Sequence, residues 1–215
     1  MLNAEKILMM STAAVEHLKK GANSNALEIL NAIKEDAKKE IRRASAKASG
    51  NTNRQKAAER VIKNAIASNP RREALHGSWI KNEMQYICDG FRILRLNNAL
   101  PLPKISEKLQ PIDADRILTP AKDNAGAVLE LPDVGELRAY IKTEKAKRKA
   151  IGDKSAIFYD FADDLPRVDA VYLLDMLEIL PGCTATASSR GTLVNPIYFE
   201  SEHGDGALCP VRKGK

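Results

Sequence analysis

Lysines and arginines crowded into one stretch are the residues of this 215-residue chain whose type and spacing could do chemistry. Residues 31–72 hold twelve basic side chains against four acidic ones. Each Lys or Arg near a duplex releases condensed counterions, so this surplus favours contact with nucleic-acid phosphates. The alternative interpretation is the solvated face of amphipathic helices. No RNP-like strand or zinc-finger spacing accompanies the surplus, which indicates contact with the backbone and not with base edges.

A second basic run, residues 142–149, ends a helical pattern later in the chain. Residues 155–208 reverse the balance, with nine acidic residues against two arginines. This asymmetry predicts two surfaces, one that attracts phosphate and one that repels it. The predicted phosphate contacts are Lys34, Lys38, Lys39, Arg42, Arg43, Lys47, Arg54, Lys56, Arg60, Lys63, Lys142, Lys145 and Arg148.

The other polar residues do not indicate catalysis, a metal site or a cofactor. The sequence has no GxSxG, P-loop or HExxH motif. The His-Gly-Asp-Gly stretch at 203–206 is interpreted as a tight turn, because its glycines allow positive φ. The cysteines are odd in number and far apart, which predicts free buried thiols and neither a disulfide framework nor a zinc site. They are Cys88, Cys183 and Cys209.

The elements that position the basic residues are predicted to be helices in the first third of the chain. Ser24 or Asn25 can cap a helix whose apolar residues recur at i, i+3, i+4 and i+7 up to Ile41. Thr52 and Gln55 form a capping-box pattern that begins another helix, with Ala58, Val61, Ile62, Ala65 and Ile66 facing inward. This second helix is predicted to end before Pro70.

Sheet is predicted to begin near Gly77, where β-forming residues alternate and Asp89-Gly90 gives a type I′ hairpin signal. Residues 97–126 contain four prolines and are predicted to be a linker with one short turn at 113–118. A helix capped by Asp133 carries the second basic run. After it we expect a strand at 156–161, a helix at 169–180 and strands at 183–188, 196–201 and 206–212.

The last sixty residues contain a Tyr-Leu-Leu-Asp core at 172–175, a Pro-Ile-Tyr-Phe stretch at 196–199 and a closing Pro-Val-Arg at 210–212. Together with the order strand, helix, three strands, these residues resemble the half-domain of DNA polymerase sliding clamps. The hairpin at 85–96 is similar to one in the first half of clamp-like phage proteins. The resemblance implies one clamp-type domain of two halves, preceded by a helical arm that clamps lack.

A clamp ring needs six such domains, so a ring of this chain would be a hexamer. Clamp helices present Lys and Arg to DNA, whereas the helix at 169–180 has three acidic residues, Asp169, Asp175 and Glu178, and no basic one. We therefore expect these carboxylates to repel phosphate and the protein to be a monomer or a homodimer. The basic helix at 133–150 is the other candidate for facing DNA.

The sequence thus predicts an α+β fold with two regions: a basic all-helical arm at 1–72 and a clamp-like domain of strand-helix-three-strand units at 73–215. The expected function is that of a non-enzymatic, phage-type accessory protein that binds DNA through backbone phosphates. The alternative is a virus-encoded inhibitor of the anti-CRISPR type, which binds a nucleic-acid-guided nuclease or a replication protein. No apolar run reaches the roughly 18 residues of a membrane span, and we expect a cytoplasmic protein without a secretory signal.

Overall fold

The computed structural model describes residues 12, 14, 16, 18, 21, 28–33, 52–191 and 194–212. The chain divides into two compact units, Met1–Thr52 and Asn53–Lys215. In the first unit, residues 28–33 are helical, as the periodicity predicts, but Leu30 is 45% exposed where the pattern predicts burial. The boundary between the two units falls at Thr52, and the helix that begins there contributes to the core of the second unit, whereas the sequence analysis placed the end of the helical arm at residue 72.

The second unit is α+β. Its helices are α1 (Thr52–Ser68), α2 (Asp115–Asp123), α3 (Val134–Ala150) and α4 (Ala170–Ile179). The strands before α3 are β1 (Trp79–Lys81), β2 (Met84–Cys88), β3 (Arg92–Leu96) and β4 (Ala125–Leu129). The strands after α3 are β5 (Phe158–Asp160), β6 (Arg167–Asp169), β7 (Thr184–Ser188), β8 (Ile197–Ser201) and β9 (Gly204–Leu208).

Seven strands form one antiparallel sheet in the order β1-β2-β3-β9-β8-β7-β4, and β5 pairs with β6 separately. The second unit contains twice the arrangement of one helix followed by three strands: α1 precedes β1-β2-β3, and α4 precedes β7-β8-β9. The two copies meet where β3 pairs with β9, with Arg92 opposite Leu208. Gly204 of β9 has φ +137°, and a side chain there would collide with the carbonyl oxygen of Arg95 on β3.

The two faces of the sheet pack against different helices, because successive side chains of a strand point to opposite faces. Ile87, Leu94 and Phe199 belong to the large core cluster that includes residues of α1, α3 and α4. Their neighbours, such as Tyr86 and Ile93, belong to a second cluster that includes Ala114, Leu118 and Ala121 at α2. The second unit therefore has three layers: α1, α3 and α4, then the sheet, then α2.

The start and the apolar stripe of α1 follow the sequence prediction, but the predicted capping box does not form, because Gln55 donates its amide to Glu59 and its buried Oε1 accepts no hydrogen bond. The helix begins at Thr52, and Ala58, Val61, Ile62 and Ala65 are buried. Ile66, which was expected to face inward, is 46% exposed. The prediction of this helix is confirmed, with one residue of its buried face wrong.

The hairpin at Asp89 and Gly90 is confirmed, but its turn type is not the predicted one. A type I′ turn requires positive φ at both central residues, and only Gly90 has it here. The Asp89 carboxylate instead accepts hydrogen bonds from the backbone N–H groups of Phe91 and Arg92 at 2.9 and 3.0 Å. The β1–β2 turn has positive φ at both Asn82 and Glu83, which the sequence analysis did not predict.

The segment predicted to be a linker contains regular structure. The helix α2 continues through Pro120, which lacks a backbone donor and so interrupts the helical hydrogen bonds. Burial of Leu118 and Ala121 against the sheet offsets this loss. The edge strand β4 begins directly afterwards, and neither β4 nor β6 was predicted.

Candidate nucleic-acid interface

The helix α4 lies between α1 and α3 in the helical layer. Its Glu178 carboxylate accepts a hydrogen bond from Arg60 of α1 and another from Arg138 of α3, the latter at 2.5 Å. Arg60 also donates to the Asp175 carboxylate at 2.6 Å. One carboxylate on α4 thus joins the two flanking helices.

Both flanking helices run antiparallel to α4. On α1, Arg54 donates to the carbonyl oxygen of Ile179 at 2.9 Å and Asn64 donates to the hydroxyl of Tyr172 at 3.1 Å, so numbers rise along α1 as they fall along α4. On α3, Arg138 lies at Glu178 near the end of α4. About ten residues after Arg138, the end of α3 lines a cleft together with the start of α4, so α3 also runs antiparallel to α4.

Four basic residues form one row along α3, and we call them the α3 row. They are Arg138, Lys142, Lys145 and Lys149. Separations of four, three and four residues place them on one face of a helix. Leu137 and Ile141 are buried, whereas all four members of the row are exposed. Because Arg138 contacts Glu178, the row follows the side of α3 that adjoins α4.

Lys56 and Lys63 provide the matching charges on α1. They are seven residues apart, which places them on one face of the helix. Both are exposed, on the side away from the buried residues Ala58 and Ile62. The outer surface of the helical layer therefore carries basic residues on both sides of α4.

The acidic residues of α4 do not form an exposed negative surface. Asp169 caps the helix by accepting from the N–H groups of Val171 and Tyr172. Asp175 is 1% exposed and pairs with Arg92 at 2.7 Å, while Glu178 pairs with Arg60 and Arg138. We expected these three carboxylates to repel phosphate. Each of them instead has a hydrogen-bond or ion-pair partner within the protein.

Other acidic residues of the segment 155–208 are also paired. Asp160 binds Arg167, Glu200 binds Lys122 and Asp205 binds Arg95. The negative charge that the sequence places in this segment is therefore largely neutralised at the surface of the fold. The other acidic residues of the segment, Asp163, Asp164 and Glu202, are exposed.

The structure divides the predicted phosphate-binding residues into three groups. Lys56, Lys63, Lys142 and Lys145 are exposed on the helical layer. Three arginines are engaged in the fold: Arg54 is buried on the carbonyl oxygen of Ile179, Arg60 pairs with α4, and Arg148 donates to Ser155 and Ala156. The remaining predictions lie outside the described residues, namely Lys34, Lys38, Lys39, Arg42, Arg43 and Lys47.

Sequence reasoning left Arg138, Lys149 and Lys154 out of the predicted set. Helical spacing from Lys142 and Lys145 was a sufficient signal for the first two. Lys154 follows the end of α3 in an irregular segment, where no periodicity indicates what a side chain faces. Lys147, which the basic run also contains, pairs with Glu144 on another face of α3.

A buried ionic cluster ties the β2–β3 hairpin to the helical layer. Arg92, with 1% of its side chain exposed, pairs with Asp89 at 3.0 Å and with Asp175 at 2.7 Å. Its guanidinium also lies 4.3 Å from the centre of the Tyr172 ring. Asn64 donates to Asp89 at 2.9 Å. The cluster connects α1, α4 and the hairpin, and so holds α1, which carries Lys56 and Lys63, against α4.

The thiols and carboxylates show no further site in the part of the chain that the structure describes. Burial raises the pKa of Cys88 to about 11 and that of Cys183 to about 11, which suppresses their reactivity as thiolates. Cys209 is exposed, contrary to the expectation for it. The described residues contain no group of three or more His, Cys, Asp or Glu that could hold a metal ion.

The predicted turn at 203–206 is also placed differently. Its turn residues are Glu202 and His203, whereas Gly204, Asp205 and Gly206 belong to β9. Asp205 accepts hydrogen bonds from Arg95 and from the Tyr198 hydroxyl.

Among the described helices, none is long and apolar enough to cross a membrane.

Comparison of the chain with protein-family models, with curated proteins and with solved structures finds no match.

Proposed function

We propose that this protein is a non-enzymatic DNA-associated accessory protein that holds duplex DNA through its backbone phosphates. The observation that carries the proposal is the exposed α3 row beside α4, with Lys56 and Lys63 on the opposite side. Phosphates bind such rows without regard to sequence, because Lys and Arg release counterions from any duplex. The α3 row contains no aromatic residue, and the exposed Tyr140 of α3, which lies outside the row, donates its hydroxyl to the carbonyl oxygen of Phe158, so the row suits a duplex backbone more than stacked single-stranded bases.

The repeated unit of one helix and three strands supports the clamp-like part of the proposal. The resemblance to sliding clamps implies one domain of two such halves. In this chain α1 and α4 are antiparallel, and the strands that follow them meet at β3 and β9. The phage-type accessory role is proposed on this arrangement together with the charges of the helical layer.

Charge reversal on α3 tests the proposal. The triple variant K142E/K145E/K149E is expected to lower duplex affinity at low salt by at least about tenfold. It should also make the dependence of log K on log salt shallower by about one for each phosphate that the variant no longer neutralises. The measurement is a fluorescence-anisotropy titration of a labelled duplex at several salt concentrations.

A matched control removes the same charge elsewhere. The variant K104E/K108E/R116E changes three exposed residues of the segment before α2 and of α2 itself. It should bind nearly as well as the unchanged protein. Equal losses in both triple variants would show a net-charge effect and contradict the proposed interface.

The first unit is tested separately with K38E/K39E/R42E/R43E. Loss of binding in this variant alone would assign phosphate contact to the basic arm, as the sequence analysis expected, and not to the helical layer. Absence of salt-dependent binding by the unchanged protein would contradict DNA contact by either region.

A further inference from the structure

A cleft of about 500 Å³ lies where the last turns of α3 meet residues 152–157 and the start of α4. Its lining includes Ala156, Ile157 and Val171. Ile157 is 5% exposed and belongs to the core, so the floor of the cleft is fixed by the packing of the fold. The cleft is of the size of sites that hold small ligands or a few side chains.

The charges at the rim of the cleft are unbalanced. Lys145, Lys149 and Lys154 are exposed there and make no salt bridge within the described part of the chain. Hydrogen bonds hold the other charged groups: Asp169 caps α4, and Arg148 donates to Ser155 and Ala156 at 2.5 Å each.

Asp153 is the remaining carboxylate of the cleft, and it too has partners. It accepts hydrogen bonds from the backbone N–H and the hydroxyl of Ser155 at 2.8 and 2.9 Å, which lower its pKa. Asp153 and Asp169 thus have partners within the protein, Asp153 including Arg148 at 3.8 Å, whereas the three lysines have no acidic partner in the described part of the chain. The cleft can therefore accept negative charge without displacing an internal partner.

We propose that this cleft docks an acidic peptide segment of a partner protein, with one aliphatic side chain on the floor and carboxylates at the three lysines. An aliphatic anchor fits because Ala156, Ile157 and Val171 line the cleft. A nucleobase is disfavoured because no aromatic side chain lines the cleft, and stacking on aromatic rings contributes about 1 to 3 kcal/mol per base to single-strand binding. A duplex is too wide to enter a cleft of this size.

The proposal does not depend on DNA binding. Lys145 and Lys149 belong to the α3 row, but Lys154, Ile157 and Val171 do not. An acidic peptide in the cleft and a duplex on the helical layer would compete for the two shared lysines. If the protein does not bind DNA, the peptide-docking proposal is unaffected. If no acidic peptide binds the cleft, the DNA-binding proposal is equally unaffected.

Selection from a library of random dodecapeptides displayed on phage tests the docking site. The unchanged protein is expected to enrich peptides that combine Asp or Glu with one or two of Leu, Ile, Val or Met. Synthetic copies of the enriched peptides should bind K149E/K154E at least about tenfold more weakly than the unchanged protein, by fluorescence anisotropy. The peptides should also bind more weakly to V171D, because this substitution places a carboxylate in the floor of the cleft.

The control variant is E144Q/K147E, which changes α3 at an ion pair outside the cleft. It should retain binding, and circular dichroism should show that every variant is folded. No enrichment, enrichment of basic or aromatic peptides, or equal binding to K149E/K154E would overturn the proposal. Tighter binding of a single-stranded oligonucleotide to the same three lysines would also overturn it, in favour of nucleic acid.

Discussion

Arg92 shows at the scale of one residue why a basic side chain in the sequence is not evidence of a binding surface. It is buried, pairs with two carboxylates and lies over the ring of Tyr172. Arg54 and Arg60 are likewise engaged within the fold, although the charge count placed them with the exposed lysines. Arginine is suited to such sites, because its planar group forms several directed hydrogen bonds at once.

The variant R92M should lower the free energy of unfolding by about 3 to 5 kcal/mol, because it leaves Asp89 and Asp175 as buried carboxylates without their shared partner. Urea denaturation at neutral pH measures the loss. The matched control is R116M, which removes an arginine that is 85% exposed, and it should change stability by less than about 1 kcal/mol.

The deficit of R92M should depend on pH in a defined direction. Burial raises the pKa of Asp175, and Arg92 opposes that rise in the unchanged protein. Without Arg92 the folded-state pKa lies further above the unfolded value, so the variant gains relative stability as pH falls toward 4 and loses it as pH rises. A deficit that is constant from pH 7 to pH 4.5 would show that the charge of Asp175 does not cause the loss.

At the scale of the elements, capping patterns predicted helix starts well. Asp133 caps α3 as predicted and α1 begins at Thr52 where expected, while Asp169 caps α4 although no cap was predicted there. These signals are local, because a cap acts on N–H groups two or three residues away. The helix α2 and the strand β4 were missed, since prolines and small residues have poor propensities and only contact with the sheet stabilises those elements.

The inward face of α4 gives the clearest test of an element. Leu173 and Leu177 of this helix are buried in the core, while Leu174 is only partly buried. Leu173→Ala should destabilise the protein by about 2 to 5 kcal/mol, because it opens a cavity in the core. The measurement is the urea midpoint.

Leu174→Ala is the matched control, since it removes the same atoms one position along the helix. It should cost clearly less than Leu173→Ala, and Leu173→Met should also cost little because it nearly conserves volume. Equal losses at positions 173 and 174 would contradict the packing described for α4.

At the scale of the whole molecule, the sequence allowed the α+β class to be predicted but not the order of the strands. The pairing of β3 with β9 joins residues more than a hundred positions apart, and hydrophobic alternation carries no information about such partners. The candidate interface has the same limitation. Helical spacing places the four residues of the α3 row on one face of α3. Only the tertiary contacts show that α4 lies beside this face and that Asp175 and Glu178 of α4 pair with arginines.

We expect the protein to be a monomer or a homodimer in solution. Continuing the sheet into a ring would require regular edges, and the edge strand β4 has an irregular register between Ala125 and Val128 while β1 has only three residues. Light scattering should give a mass of one or two times 23.6 kDa. A mass near six times that value, with retention on circular but not on linear DNA, would contradict this expectation and support a closed clamp.

The central position of β9 also constrains how the chain can fold during synthesis. The ribosome makes β9 after every other strand of the sheet, yet β9 separates β3 from β8. Until it emerges, β3 and β8 each have an unpaired edge, and the two halves of the sheet have no strand between them. The nascent protein therefore passes through a stage with open strand edges, in which association with other chains or capture by a chaperone competes with folding.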